Sequence, residues 1–289
     1  TMLNSISPLH PIMLTRIDGH SIWVNDLALK LAKYDLNNPR IPDGGKIINN
    51  CILVDNAMNK IWDCQPKETF ENVKKWIKLA AKTAASRGIT NVHDAWQDPF
   101  TIDAIKDLII ENKFPIRCYG MLGSGYPNLL KKYFKKGHYN SSLYRIRSIK
   151  AFIDGALGSR GAALLEPYSD EHCNCGLILI SKEEFYELSK KCNKNNFQLC
   201  THAIGDRGNR IVLNAYRDAT KNSSDHRWRI EHAQMVTDED IPKFLKYKIL
   251  PSMQPSHCTS DMRWMHKRIG KHRLSRVSRW KSFSDLGIP

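Results

Sequence analysis

Lys150 lies in an apolar stretch, Arg147-Ser-Ile-Lys-Ala-Phe-Ile-Asp-Gly155, that breaks into the glycine-rich run Ala156-Leu-Gly-Ser-Arg-Gly-Ala-Ala-Leu164. Alternation along a strand puts Ser148, Lys150, Phe152 and Asp154 on one face and Ile149, Ala151 and Ile153 on the other. Lysine is seldom buried unless paired or chemically used, and Asp-Gly followed by Gly158 and Gly161 indicates backbone shaped around a site. A plain strand whose lysine reaches solvent would also account for this stretch on its own. Two later segments, Phe197-Gln-Leu-Cys-Thr-His202 and Arg227-Trp-Arg-Ile-Glu-His232, read as short strands ending in histidine. One such histidine needs nothing more than a carbonyl or a water. A lysine and two histidines in the same position of successive strand–helix units are a set of candidate ligands or acid–base groups.

The elements that must position these side chains recur in a regular order from Glu68 onward. Helical periodicity over 69–87 stops at Gly88, and Ile89-Thr-Asn-Val-His-Asp94 reads as a strand. Helices over 100–112, 128–136, 182–195, 207–220 and 238–247 alternate with strands over 115–122, the lysine stretch, 197–202, 227–232 and 249–254. Strands alternating with helices in this way imply a parallel sheet with helical crossovers. No Gly-x-Gly-x-x-Gly opens the first strand–helix turn, and polar residues end many strands rather than clustering at one switch point. Both features favour a barrel over a doubly wound sheet. Residues 1–66 read as irregular, punctuated by Pro8, Pro11, Pro39, Pro42 and Gly44-Gly45, with a helix expected from Ser21 to Lys33.

The 289 residues suffice for one large α/β domain. Charged or amide residues break every apolar run before bilayer length, and no secretory leader pattern opens the chain, so a cytoplasmic protein is expected. The eight cysteines are scattered over strand and helix patterns and are expected as reduced thiols; His172-Cys-Asn-Cys175 lacks a second ligand pair at zinc-finger spacing. A net charge of +15 raises nucleic-acid binding as a competing class. Against it, the charges between Arg263 and Lys281 fall at all phases of a helix-like pattern without a nucleic-acid motif, so solvated helix faces are expected there.

The segments Lys150-Ala-Phe-Ile-Asp-Gly-Ala-Leu-Gly-Ser-Arg-Gly-Ala-Ala-Leu164, Thr201-His-Ala-Ile-Gly-Asp-Arg-Gly-Asn209, Arg229-Ile-Glu-His-Ala-Gln234 and Ser252-Met-Gln-Pro-Ser-His257 together resemble the amidohydrolase superfamily. Asp18-Gly-His-Ser-Ile-Trp-Val-Asn25 and the strand after Gly88 extend the likeness. The branch they resemble is amidohydrolase family 3, the YtcJ-like group related to N-substituted formamide deformylase. The resemblance implies a metal-dependent hydrolase of non-peptide C–N bonds in small amide-type substrates, built on a (β/α)8 TIM barrel. It implies Lys150, His202 and His232 as ligands of one or two divalent ions, with Zn²⁺ the first choice and a CO2-derived carbamate on Lys150. Around the C-terminal strand face it implies substrate contacts from His20, Arg160 and His257, with His93, Asp94, Asp154 and Asp206 orienting them from behind. Capping a helix would equally explain Asp206, and pinning a loop would explain Arg160.

No His-x-His occurs before Ile89 and no Gly-Ser-Asp follows Asp285. Strands one and eight of the barrel are therefore expected outside this chain, with the general-base aspartate beyond Pro289 and no catalytic base within it. The expected organisation is an incomplete α/β barrel: residues 1–66 as an irregular insertion between strands one and two at the rim, and residues 67–289 as strands two to seven with their helices. The chain is read as an internal piece of a longer product, inactive alone; a truncated non-catalytic homologue is the alternative. Self-association into a homo-oligomer is compatible with the sequence.

Overall fold

The computed structural model describes residues 1–35, 37–221 and 225–289. Its N-terminal part is more ordered than its prolines and glycines suggest. Four short strands, β1 (Met13–Thr15), β2 (Ser21–Val24), β3 (Gly45–Ile48) and β4 (Ile52–Asp55), form an antiparallel sheet in the order β1-β2-β4-β3. Ile22, Val24 and Leu53 pack with Leu29 and Ile61 in a small core of their own. The helix expected over 21–33 is confined to Asp26–Leu31. Ser21–Val24 is strand, and the Asn25 side chain caps the helix by accepting the Ala28 N–H. Strands of three or four residues leave no signal in the windows of about 11–18 residues from which periodicity is read, which is why this sheet was not foreseen.

The remainder follows the alternating pattern. Its strands are β5 (Asn91–Gln97), β6 (Arg117–Gly123), β7 (Tyr139–Asn140), β8 (Tyr144–Phe152), β9 (Gln198–Ala203), β10 (Arg229–His232) and β11 (Leu250–Ser252). All but β7 are parallel and adjacent in chain order, β5-β6-β8-β9-β10-β11, while β7 pairs antiparallel with β8. Helices Pro99–Ile110, Pro127–Lys136, Lys182–Lys194, Asp206–Thr220 and Ile241–Lys246 fill the crossovers, and Phe70–Ser86 precedes β5. Local chemistry sets several starts: Asp98 accepts the Thr101 N–H with Pro99 just inside the helix, and Ser181 with Glu184 forms a capping box. Leu122, Ile149, Leu199 and Ile230 share one core with the helix residues Leu213, Tyr216 and Phe244. Among the described residues β5 and β11 each pair with one neighbour only, so the sheet is an open arc and the fold an incomplete (β/α)8 barrel. No helix of the described residues is long and apolar enough to cross a membrane.

The basic stretch between Arg263 and Lys281 is solvated only in part: Arg263, Lys267, Lys271, His272 and Lys281 are exposed, whereas Arg268, Arg273, Arg276 and Arg279 turn inward. It packs over the glycine loop, where backbone carbonyls left without strand partners need donors. Arg273 is 2% exposed and donates to Ile269 O at 2.6 Å, Glu166 O at 3.0 Å and Pro167 O at 2.8 Å. Arg268 pairs with Asp170 and reaches Gly158 O at 3.3 Å, and Arg276 pairs with Glu166 at 2.8 Å. The phase of charges along the sequence carries no information about which carbonyls will lie opposite them.

Removing the Arg273 fork would take the donor from three backbone acceptors, that of Ile269 fully buried, and would leave a cavity where the guanidinium lay. Arg273→Ala is expected to lower the unfolding free energy by about 2 to 4 kcal/mol. Arg273→Lys should recover only part of that, since an ammonium cannot span all three carbonyls. Urea unfolding followed by circular dichroism checks this, and an unchanged midpoint in Arg273→Ala would contradict it.

Candidate functional site

Strand register decides how the candidate ligands meet. Between β8 and β9, Lys150 pairs with Cys200 and Phe152 with His202; between β9 and β10, His202 pairs with Glu231. β10 then ends at His232, and the chain leaves it through two residues of positive φ, His232 at 74° and Ala233 at 42°. Non-glycine residues adopt that conformation rarely, and here it accompanies a bend that sets the imidazole direction. The His232 ring stands 4.6 Å from the His202 ring, centre to centre, and His20, from the turn before β2, stands 4.9 Å from His202.

Lys150 is only 3% exposed. Its Nζ lies 3.6 Å from the Phe152 ring centre and donates to the Ala151 carbonyl at 3.3 Å. Burial pushes its pKa down to about 8, with the Glu231 charge opposing the shift. Burial also holds His202 well below the usual imidazole range, reinforced by His232 and Lys150, and pushes His232 down to about 4, with Lys150 again adding to the effect. Both rings are therefore neutral at pH 7. His202 Nε2 faces Gly155 O at 3.2 Å and His232 Nδ1 faces Gln254 Oε1 at 2.6 Å. Since both partners are acceptors, those nitrogens carry the ring protons and the opposite nitrogens carry lone pairs.

Asp154 sits behind His202, its Oδ1 3.7 Å from Nε2. It is fully buried and accepts the N–H groups of Ala163 at 2.9 Å, Ile204 at 3.0 Å and Gly205 at 2.8 Å. Burial raises its pKa to about 7 against those three donors. His20 Nδ1 lies 2.6 Å from Asp55 Oδ1. Burial alone would lower the His20 pKa, but the hydrogen bond and charge of Asp55 outweigh it and leave it raised.

Lys150, His202, His232, His20 and His257 line one cavity of about 650 Å³ at the C-terminal ends of the strands. Phe152, Leu157, Ile204 and Trp264 give it an apolar side, and Arg16 and Asp18 of the N-terminal sheet face it too. His257 is 5.6 Å from the His232 ring, and its Nδ1 is 3.6 Å from Asp261 Oδ2. Arg160 is not among the lining residues: its guanidinium makes two 3.0 Å bonds to Asp170. His93 is exposed on β5 with Nδ1 2.9 Å from Arg229 Nη1, and Asp94 accepts from Gln97 Nε2 at 2.8 Å, both outside the lining. Asp206 opens its helix, accepts the Leu165 N–H at 2.8 Å and pairs with Arg276 at 3.2 Å.

Several residues of the arrangement escaped the sequence reading. Asp55 holds His20, Gln254 holds His232, and Gln234 Nε2 donates to Asp261 at 2.8 Å. Arg229 and Glu231 form a 2.7 Å ion pair inside the arc. Gln234 and Gln254 stood in the segments that carried the family resemblance, and Asp55 closes a short apolar strand, so each had a signal that spacing alone did not interpret.

The donor types suit a divalent ion: two neutral imidazoles with pinned tautomers beside a buried lysine of lowered pKa. As the side chains stand, no group of three or more His, Cys, Asp or Glu among the described residues is gathered to hold one.

The family pattern described as "Amidohydrolase family" matches residues 1–289. Protein LONG AFTER FAR-RED 3 of Arabidopsis thaliana is 30% identical over 96% of this chain and 50% of its own length. YtcJ of Bacillus subtilis is 28% identical over 99% of this chain and 55% of its own length. The crystal structure of an uncharacterized metal-dependent hydrolase from Pyrococcus furiosus superposes with a TM-score of 0.74 at 26% identity, over 96% of this chain and 57% of that one. The chain spans about half the length of these proteins. With that match over its whole length and its six-strand parallel arc, the chain belongs to the amidohydrolase family.

Proposed function

We propose that the protein to which this chain belongs is a metal-dependent hydrolase of non-peptide C–N bonds, amide or formamide in type. The observation that carries the reading is the meeting of Lys150, His202 and His232 at the ends of three adjacent parallel strands, in a buried setting that keeps both imidazoles neutral. The likeness to a solved metal-dependent hydrolase supports it.

In this reading Lys150, as its carbamate, and the lone-pair nitrogens of His202 and His232 hold one or two divalent ions, with zinc favoured by mixed imidazole and carboxylate-type donors. A bound ion of this kind polarises a scissile carbonyl and lowers the pKa of a bound water. The Gly155 carbonyl and Gln254 hold the two imidazoles in place, so that the site is set before substrate arrives. His20 and His257 contact the substrate from opposite ends of the lining, and Leu157, Ile204 and Trp264 take its apolar part. A cytoplasmic setting belongs to the same proposal, since all eight cysteines are free thiols.

Two outcomes follow. In the full-length protein, His202→Ala and His232→Ala should each reduce metal-dependent hydrolysis of a formamide and acyl-amide panel to below about 1% of wild type. Residues behind a ligand typically cost about 10- to 100-fold, and a ligand costs more. Activity retained in both variants, or full activity without divalent metal, would overturn the reading.

Carbamylation requires the neutral amine. A lysine with a pKa of about 8 is roughly half neutral at pH 8, against under about 1% for an ordinary lysine. At a fixed CO2 concentration, uptake of label from ¹³C-bicarbonate should therefore rise between about pH 6 and pH 9 and be absent in Lys150→Ala, as read by a carbamate resonance in ¹³C NMR. An identical resonance in the variant would remove Lys150 from the ligand set.

A further inference from the structure

Asp55, the last residue of β4, carries three features that a sheet-edge carboxylate does not need. Its backbone lies at φ 48° and ψ −122°, a left-handed conformation that residues with a Cβ adopt only under strain. Its side chain is 1% exposed, yet only Oδ1 has a hydrogen-bond partner, His20; Oδ2 is buried and has none among the described residues. The glycine loop after β8 is shaped to it: a Cβ at either Gly155 or Gly161 would overlap Oδ2. Neither glycine has a positive φ, so space and not backbone conformation excludes a side chain there. Strain and an unmet carboxylate oxygen are kept where the surrounding structure over-determines them, which is characteristic of functional sites.

The object of this arrangement is His20. Its Nδ1 is engaged by Asp55, its ring lies against His202 and Phe152, and it lines the cavity. Nε2, on the other side of the ring, makes no hydrogen bond among the described residues and is the nitrogen left for a ligand.

We propose that Asp55 is a positioning residue that acts through His20: seated between Gly155 and Gly161, it fixes the imidazole with Nε2 toward the cavity, so that the N-terminal sheet contributes a substrate contact to the barrel's site. The kinetic consequence rests on the proposed hydrolase reading; the structural consequence does not. In the full-length protein, the short bond to Asp55 should give His20 a far-downfield, exchange-protected Nδ1 proton in ¹H NMR, assigned by its loss in His20→Gln. That proton should vanish in Asp55→Ala and in Gly161→Ala, whose added methyl displaces the carboxylate, and should move upfield in the isosteric Asp55→Asn. Thermal melting checks that each variant folds, and Asp55→Asn supplies the answer if Asp55→Ala does not. On any amide the protein hydrolyses, Asp55→Ala is expected to lower kcat about 10- to 100-fold. The double variant His20→Gln/Asp55→Ala should be no worse than His20→Gln alone, the non-additivity of residues acting as a unit. A downfield proton that persists in Asp55→Ala, or losses that simply multiply in the double variant, would overturn the proposal. Absence of hydrolysis with every substrate would sink the hydrolase reading and leave the proton signal to decide this one.

Discussion

The site depends on one buried carboxylate. Asp154 leaves the end of β8 and collects backbone N–H groups from Ala163, inside the glycine loop, and from Ile204 and Gly205, just beyond β9. A carboxylate without solvent must be met by donors, and charge-assisted bonds of this kind are the stronger class. The strand carrying Lys150, the loop that follows it and the strand carrying His202 are thereby tied at a single point. The raised pKa of Asp154 means that even three N–H donors only partly offset its loss of water, so the surrounding packing sustains the arrangement.

Around that point the chain assembles a second layer. Ala156, Leu157, Ala162, Leu164 and Tyr168 of the glycine loop pack with Ile204, Met235, Met265 and Ile269 into a core separate from the barrel's main one. Arg273 closes this layer by donating to the Glu166 and Pro167 carbonyls after the loop, and Arg268 by donating to Gly158 O within it. The arginines at 268, 273, 276 and 279, within a region whose composition suggests polyanion binding, are thus committed to intramolecular bonds. From the other side the N-terminal sheet meets the loop through Asp55 and through Asn56, whose Nδ2 donates to Leu179 O at 3.1 Å. The cavity lies where barrel, loop layer and small sheet meet, and no one of the three encloses it.

Electrostatically, burial dominates. It outweighs the Glu231 charge on Lys150 and keeps His202 and His232 neutral, whereas at His20 the Asp55 partner wins. The same low-dielectric setting that costs a lysine its proton makes its nitrogen nucleophilic and leaves imidazole lone pairs available near neutral pH.

How much of this was legible in the sequence follows from the range of the interactions involved. The alternation of strand and helix and the placing of Lys150, His202 and His232 at strand ends depend on residues within a few positions of one another, so periodicity and spacing exposed them; the caps at Asp98 and Ser181 are equally local but became visible only in the structure. The barrel followed, because sequential parallel strands leave few ways to pack, whereas its incompleteness followed from the family resemblance and the missing His-x-His and Gly-Ser-Asp. What tertiary structure alone decided lies at long separation. Asp55 meets His20 across 35 residues, and Gln254 reaches His232 across 22. Arg273 finds Glu166 across 107 residues. A one-dimensional pattern records which face a side chain leaves from; only the packed chain settles which buried polar group it must satisfy.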